Sequence, residues 1–187
     1  MKTIETKLYS YSELNSEAQE RVLKNHSESV YSDPNDFTLS ECIDSLKAIT
    51  DAIGTPLRAW QMGPFNHNNY AKVDALTYDY EEVDSGPKTV ATFLRMLITY
   101  GYTRPKHFQD MEFPGICGFT GICFDDDLCE FLWKELLTGE TWQQAIYNCA
   151  DHIGSISEKD LEWRASKESF LDYNDGQEIY TRDGEIV

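Results

Sequence analysis

Leu39, Cys42, Leu46, Ile49 and Ile53 recur at intervals of three and four along "DFTLSECIDSLKAITDAIG". That spacing places one apolar stripe along an α-helix. The stretch predicts the clearest helix in the chain, with Thr38…Glu41 as a capping box and Gly54 as its stop. Cys42 lies on the stripe and reads as core. "NSEAQERVLKNH" predicts a helix capped by Asn15 or Ser16, with a Ser16…Gln19 box, Leu14 as its staple, and Ala18 and Val22 on one face. "SGPKTVATFLRMLITYGY" predicts another, begun near Pro87 and closed at Gly101. "TWQQAIYNCADHIG" and "SEKDLEWRASKESFLDY" predict two more, separate from each other. Thr141 and Ser157 are their expected caps, the latter in a box with Asp160.

Alternation at every second residue marks the strands. "KLYSYSEL" predicts a short first strand from Leu8, Tyr9 and Tyr11, and "LRAWQM" a second. In "YAKVDALTYDYEE", Leu76, Tyr78 and Tyr80 fall on one face, with Thr77, Asp79 and Glu81 on the other. "QEIYTRDGEIV" predicts two strands joined at Asp183-Gly184, a hairpin dipeptide. "SDPND", "GPFNHNN" and "TRPKHFQDMEFPG" read as loops. No repeat, low-complexity segment or linker breaks the order. Mixed helices and strands predict an α+β fold, a single domain over 1–187 with several helices on a small, mainly antiparallel sheet.

One stretch, "CGFTGICFDDDLCEFLWKELL", holds Cys117, Cys123 and Cys129 at equal spacing, with Asp125, Asp126 and Asp127 among them. Structural zinc sites pair their ligands two to four residues apart, and these cysteines are six apart. Cys149 and His152 make a closer pair, but helical spacing produces such pairs by chance. A redox centre needs a close Cys pair or a basic neighbour that holds a thiolate, and adjacent carboxylates push the other way. The pattern predicts instead a buried strand in "GICGFTGICF", an acidic cap at the three aspartates, and a helix turning Leu128, Phe131, Leu132 and Leu136 toward a core.

Hydrophobic residues make up 41% of the 187 residues and aromatics 13%, too many for a disordered chain. Asp and Glu number 33 against 16 Lys and Arg, for a net charge of −17. Such a chain repels nucleic acid and anionic membranes and attracts basic partners over long range. The expectation is no direct nucleic-acid binding, no membrane association and no cofactor. With neither an apolar signal core nor a membrane-length apolar run, the chain is expected in the cytoplasm, with its five cysteines reduced. A homodimer is the default assembly.

No nucleophile elbow, phosphate-binding glycine loop or complete calcium loop is present. "HFQDME" offers His107, Asp110 and Glu112 as loop ligands for a divalent cation, against the plainer reading of a solvated loop. Lys88, Arg95, Arg104 and Lys106 form the only local concentration of basic residues. Acids with interleaved tyrosines are the stronger pattern. Asp79, Tyr80, Glu81, Glu82 and Asp84 form one such group, and Asp172, Tyr173, Asp175 and Glu178 a second; Asp125, Asp126 and Asp127 add charge. Carboxylates can stand in for phosphates and tyrosines can anchor an interface, although an ordinary solvated acidic face carries the same pattern.

"YSYSELNSEAQERVL", "CGFTGICFDDDL" and "SFLDYNDGQEIYTRDGEIV" together resemble a group of small acidic proteins of phages and prophages labelled as antitoxin-like members of a toxin–antitoxin stability system. Members open with a Tyr/Phe-x-x-x-Glu-Leu-x-x-x-Ala helix start, here Tyr9 through Ala18, and close with an aromatic strand and an acidic Asp-Gly hairpin. The resemblance covers both ends and the middle; residues 36–112 show no match. It implies a mobile-element origin and carries over no site residues. With the charge, it leads to the expectation of an acidic inhibitor or decoy rather than an enzyme. Such a decoy binds a basic host protein or ribonucleoprotein of a defence or nucleic-acid-processing complex, in the manner of an anti-CRISPR or anti-restriction protein. The alternatives are an antitoxin that neutralises a basic toxin and a metal-dependent enzyme built on His107, Asp110 and Glu112.

Overall fold

The helical stripes become buried faces, and most of the sheet is smaller than the alternation suggests. The computed structural model describes residues 7–33, 37–78, 81–82, 85–122, 124–174 and 178–186. In chain order these form α1 (Ser16–Ser32), α2 (Phe37–Ala52), β1 (Leu57–Gln61), β2 (Tyr70–Val73), β3 (Thr77–Tyr78), β4 (Glu81–Glu82), α3 (Pro87–Thr99), α4 (Phe124–Thr138), α5 (Trp142–Arg164) and α6 (Lys167–Asn174). The fold is α+β. β1 pairs antiparallel with β2 through Trp60↔Ala71 and Gln61↔Tyr70, and β3 with β4 through Tyr78↔Glu81. Among the described residues, no helix is long and apolar enough to cross a membrane.

Within this class the chain divides into two compact units. One is built from the two ends, Met1–Asn35 and Lys159–Val187, and the other from Asp36–Glu158. Each has its own core. In the larger unit, Cys42, Leu46 and Ile49 of α2 join Val90, Phe93 and Leu97 of α3, Leu128, Leu132 and Leu136 of α4, and Ile146, Cys149 and Ile153 of α5. The end unit buries Leu14, Ala18, Val22, Phe170 and Tyr180.

The helix ends follow ordinary capping chemistry. The Asn15 side chain accepts from Ala18 N at 2.9 Å, so Asn15 rather than Ser16 caps α1. Thr141 accepts from Gln144 N at 3.0 Å and caps α5 as expected. At the end of α3, Gly101 takes a φ of +100°, the left-handed turn that closes a helix. Just inside α5, Gln143 accepts from Val73 N at 3.2 Å and donates to Ala71 O at 3.1 Å. One side-chain amide thus satisfies the backbone of β2 that a third strand would otherwise pair.

Several expectations are corrected. The first strand reduces to one bridge, Tyr9↔Tyr180, followed by a 3-10 turn over Tyr11–Glu13. Glu13 draws that turn tight by accepting from Ser10 N at 2.8 Å and from its hydroxyl at 2.9 Å. The C-terminal hairpin likewise reduces to the bridge Tyr180↔Ile186 around Gly184. The run through Leu76 folds back as the minimal β3–β4 pair instead of extending as one strand. The described part of "GICGFTGICF" before α4, residues 115–122, forms turns and bends rather than a buried strand, and the N–H groups of Phe119 and Thr120 go to the Asp125 side chain. Thr38 is buried in the first turn of α2, one residue past its start at Phe37.

The largest correction concerns α5, which runs unbroken through Gly154, with Ser157 buried inside it rather than capping a second helix. Gly154 is there for a close approach. A Cβ at this position would lie 2.1 Å from Asn69 Nδ2 and 3.1 Å from Gly63 O. Asn69 is itself buried, accepting from Gly63 N at 3.0 Å and donating to Gly63 O at 3.3 Å. In a free helix Gly→Ala gains about 1 kcal/mol. Here that gain is outweighed by displacing Asn69, which loses two hydrogen bonds of about 1 kcal/mol each, and by the steric strain. Gly154→Ala is therefore expected to lower stability by about 1–3 kcal/mol, read as a lower urea midpoint. A midpoint equal to or above that of the parent would show that the helix packs with room to spare.

Candidate functional site

The three aspartates at the start of α4 do not form one surface. Asp125 is 0% exposed and Asp126 5%, whereas Asp127 faces solvent. The Asp125 carboxylate accepts from Phe119 N at 2.9 Å, Thr120 N at 2.7 Å and the Thr120 hydroxyl at 2.8 Å. The Asp126 carboxylate accepts from the Tyr102 hydroxyl and from Gly115 N. Burial, with Cys129 and the Asp126 carboxylate beside it, pushes the Tyr102 phenol far above its usual range, so Tyr102 stays a donor. The expectation that Asp125 and Asp126 meet a partner is corrected. Both are spent on their own chain, holding the Gly115–Thr120 loop against the positive end of the helix.

Within the same loop, Phe119 stacks on Tyr100 at 4.3 Å, and Gly118 passes so close to α3 that a Cβ would lie 2.6 Å from Tyr100 O. Cys117 stands in the loop half-exposed, whereas Cys129 is buried in α4. Cys42 and Cys149 are buried in the same core as Cys129, and burial raises the thiols of Cys129 and Cys149. Cys123 lies outside the described residues. The structure leaves the buried thiols as packing groups.

The remaining sequence-marked residues fall into three sets. Asp79, Tyr80, Asp84 and Asp175 lie outside the described residues. Glu81 and Glu82 form β4, the second strand of the minimal hairpin. Asp172 and Tyr173 are exposed on α6, while Glu178 is half-exposed and accepts from the Tyr180 hydroxyl. His107, Asp110 and Glu112 are exposed around the 3-10 turn Phe108–Asp110. Among the described residues, no three His, Cys, Asp or Glu side chains converge as metal ligands.

The structure adds a residue that the sequence pattern passed over. Trp163 is 46% exposed near the end of α5, and its ring meets Tyr173 of α6 edge-on at 6.1 Å. Tyr173 is 74% exposed. Leu171 is exposed between them in sequence, and Glu162, Glu168 and Asp172 add exposed carboxylates on the two helices. The turn that brings α6 back is closed by Ser166, whose hydroxyl accepts from Ser169 N at 3.1 Å. Arg164, the base nearest Trp163 in sequence, pairs with Asp160 at 2.8 Å. The signal was available. Ile153, Ser157 and Leu161 continue the buried stripe, and Trp163 sits about 200° from Leu161 around the helix, off that stripe.

This edge belongs to the end unit. It offers two adjoining aromatic rings on helices that carry exposed carboxylates, the composition of an interface centre with a charged rim. No protein-family model, no curated protein and no solved structure matches the chain.

Asp125→Ala removes three hydrogen bonds to a buried charge and is expected to cost about 2–4 kcal/mol, whereas Asp127→Ala should stay within about 0.5 kcal/mol. Urea unfolding of the two variants checks this. A stable Asp125→Ala protein would return that carboxylate to the surface.

Proposed function

We propose that this protein is an acidic binding inhibitor, which occupies a basic nucleic-acid-binding surface of a host complex in the cytoplasm of a phage-infected cell. The observation that carries the reading is the exposed Trp163–Tyr173 pair with its carboxylates, on a chain of net charge −17. The field draws a basic partner in over long range, and the aromatic pair supplies the desolvated anchor that charge alone lacks. The resemblance of three segments to small acidic phage and prophage proteins points to a host target of this kind. Asp172 and Tyr173 remain contact residues from the sequence pattern, joined now by Trp163 and Glu162; Asp125 and Asp126 leave the set.

The test is capture of host-lysate proteins on the immobilised full chain at roughly 0.05 M and 0.5 M salt, followed by competition against nucleic acid. A nucleic-acid-binding protein should be retained at low salt, lost at high salt, and released from its DNA or RNA by the free protein. Trp163→Ala with Tyr173→Ala should weaken that capture about tenfold or more. Retention that is unchanged between the two salt levels, or a captured protein whose nucleic-acid binding is unaffected, would overturn the reading. Rescue of a growth defect caused by a neighbouring basic toxin would replace it with antitoxin action.

A further inference from the structure

The longest acid-free run of this acidic chain lies between Asp84 and Asp110, and it contains Lys88, Arg95, Arg104 and Lys106. Among the other bases of the larger unit three have nearby acids, while Lys72 lies over the Tyr70 ring. Lys47 lies 3.0 Å from Asp44, Arg58 forks onto Asp74, and Lys134 pairs with Glu130. Arg104 and Lys106 are exposed and form no ion pair among the described residues. Arg95, Arg104 and Lys106 gather on one face of this unit, where α3 meets the loop that follows it, and among the described residues no acid lines the clefts there.

That face is also grooved and apolar. Two adjoining clefts of about 570 Å³ and 370 Å³ share Leu94, Arg104 and Phe108 in their walls. The first continues to Lys106 and Leu137, the second to Arg95 and Ile98. Ile98, Phe108 and Leu137 are all more than a third exposed, a concentration of large side chains that single surface hydrophobes do not make. The floor is held in place. The Trp133 indole donates to Phe108 O at 3.1 Å, and its ring meets the Phe108 ring edge-on at 6.1 Å. Trp133 is itself buried and stacks on Phe93 in the core. A groove whose wall is fixed before binding loses less freedom when a partner enters.

We infer that this groove takes an acidic amphipathic peptide segment of a partner protein. Its apolar side would rest on Ile98, Phe108 and Leu137, and its carboxylates would meet Arg104 and Lys106. Apolar anchors at helical spacing flanked by charge of the opposite sign are the ordinary way such a groove is filled. Charge complementarity selects this occupant over the others. A second copy of the chain brings another −17. Nucleic acid brings about one charge per 1.7 Å and no aliphatic face, against a chain that repels it everywhere else.

The experiment uses the full-length protein and a fluorescein-labelled peptide of about 14 residues, with Leu and Phe at helical i, i+3, i+4, i+7 spacing and Glu at most other positions. Its comparators are an isomer of the same composition with the apolar residues scattered, a version with Lys in place of Glu, and a fluorescein-labelled single-stranded oligonucleotide. Fluorescence anisotropy should show the amphipathic acidic peptide binding at least about tenfold more tightly than each comparator. Arg104→Glu with Lys106→Glu should weaken it by about tenfold or more, and Phe108→Ala by a similar factor. Because Arg104 and Lys106 are exposed, their double variant should melt like the parent, which separates lost binding from lost folding. Equal affinity for the scattered isomer or the oligonucleotide, an unchanged affinity in Arg104→Glu/Lys106→Glu, or no binding of the amphipathic peptide each overturns the inference. Trp163→Ala with Tyr173→Ala should leave peptide affinity unchanged, so the groove and the acidic edge stand or fall separately.

Discussion

The two buried carboxylates at the head of α4 are the constraint around which the larger unit is arranged. An isolated carboxylate in a protein interior costs several kcal/mol. Asp125 and Asp126 are tolerable only because five donors reach them, from Phe119, Thr120, Tyr102 and Gly115, at the helix end whose dipole favours negative charge. The donors come from three points along the path between α3 and α4: Tyr102, Gly115 and the Phe119–Thr120 pair. Satisfying the two charges therefore dictates the course of that connection. In this loop the N–H groups of Gly115, Phe119 and Thr120 point at side chains instead of at a neighbouring strand. Thr120 extends the arrangement toward α2, its hydroxyl lying 3.4 Å from that of Ser45.

That arrangement also governs which charges remain for the surface. Asp125 and Asp126 are hydrogen-bonded inside the fold, and the exposed pairs such as Lys24–Glu28 and Lys134–Glu130 are ordinary helix-face contacts worth only a few tenths of a kcal/mol. The net charge of −17 is therefore carried by acids that are mostly solvated. Self-repulsion of this kind weakens a compact state. The two apolar cores must outweigh it, which fits the density of large aliphatic and aromatic residues in the larger one.

Much of this was legible in the sequence wherever one periodicity ruled. The three-and-four spacing of Leu39, Cys42, Leu46 and Ile49 and the Pro87 and Gly101 boundaries place α2 and α3 within a residue or two of their positions. What escaped depends on contacts far apart in the chain. Gly154 reads as a helix stop until Asn69 is seen pressed against it. Three consecutive aspartates read as one solvated cap because their surroundings, Tyr102 and the Gly115–Thr120 loop, lie up to two dozen residues away. "GICGFTGICF" has strand composition, but a strand needs a neighbour to share its hydrogen bonds, and none is supplied. For the acidic edge, Asp172 and Tyr173 were marked from their composition. Trp163 was missed because composition alone does not say which side of a helix a tryptophan occupies.

The acidic edge and the groove both set exposed aromatic side chains beside charge, with the signs exchanged. Their response to salt should nonetheless differ. For a basic partner at the edge, the local carboxylates and the field of the whole chain act together, so screening weakens both contributions. For an acidic peptide in the groove they oppose each other. Arg104 and Lys106 attract at contact distance, while the remaining charge repels from farther away. The screening length is about 10 Å at 0.1 M salt, so moderate salt removes the distant repulsion before it removes the contact attraction. Affinity at the groove should therefore hold level or rise slightly up to moderate salt, then fall, whereas affinity at the edge should fall throughout. Measuring both probes across one salt series separates a local reversal of charge from a surface that is only less acidic than the rest.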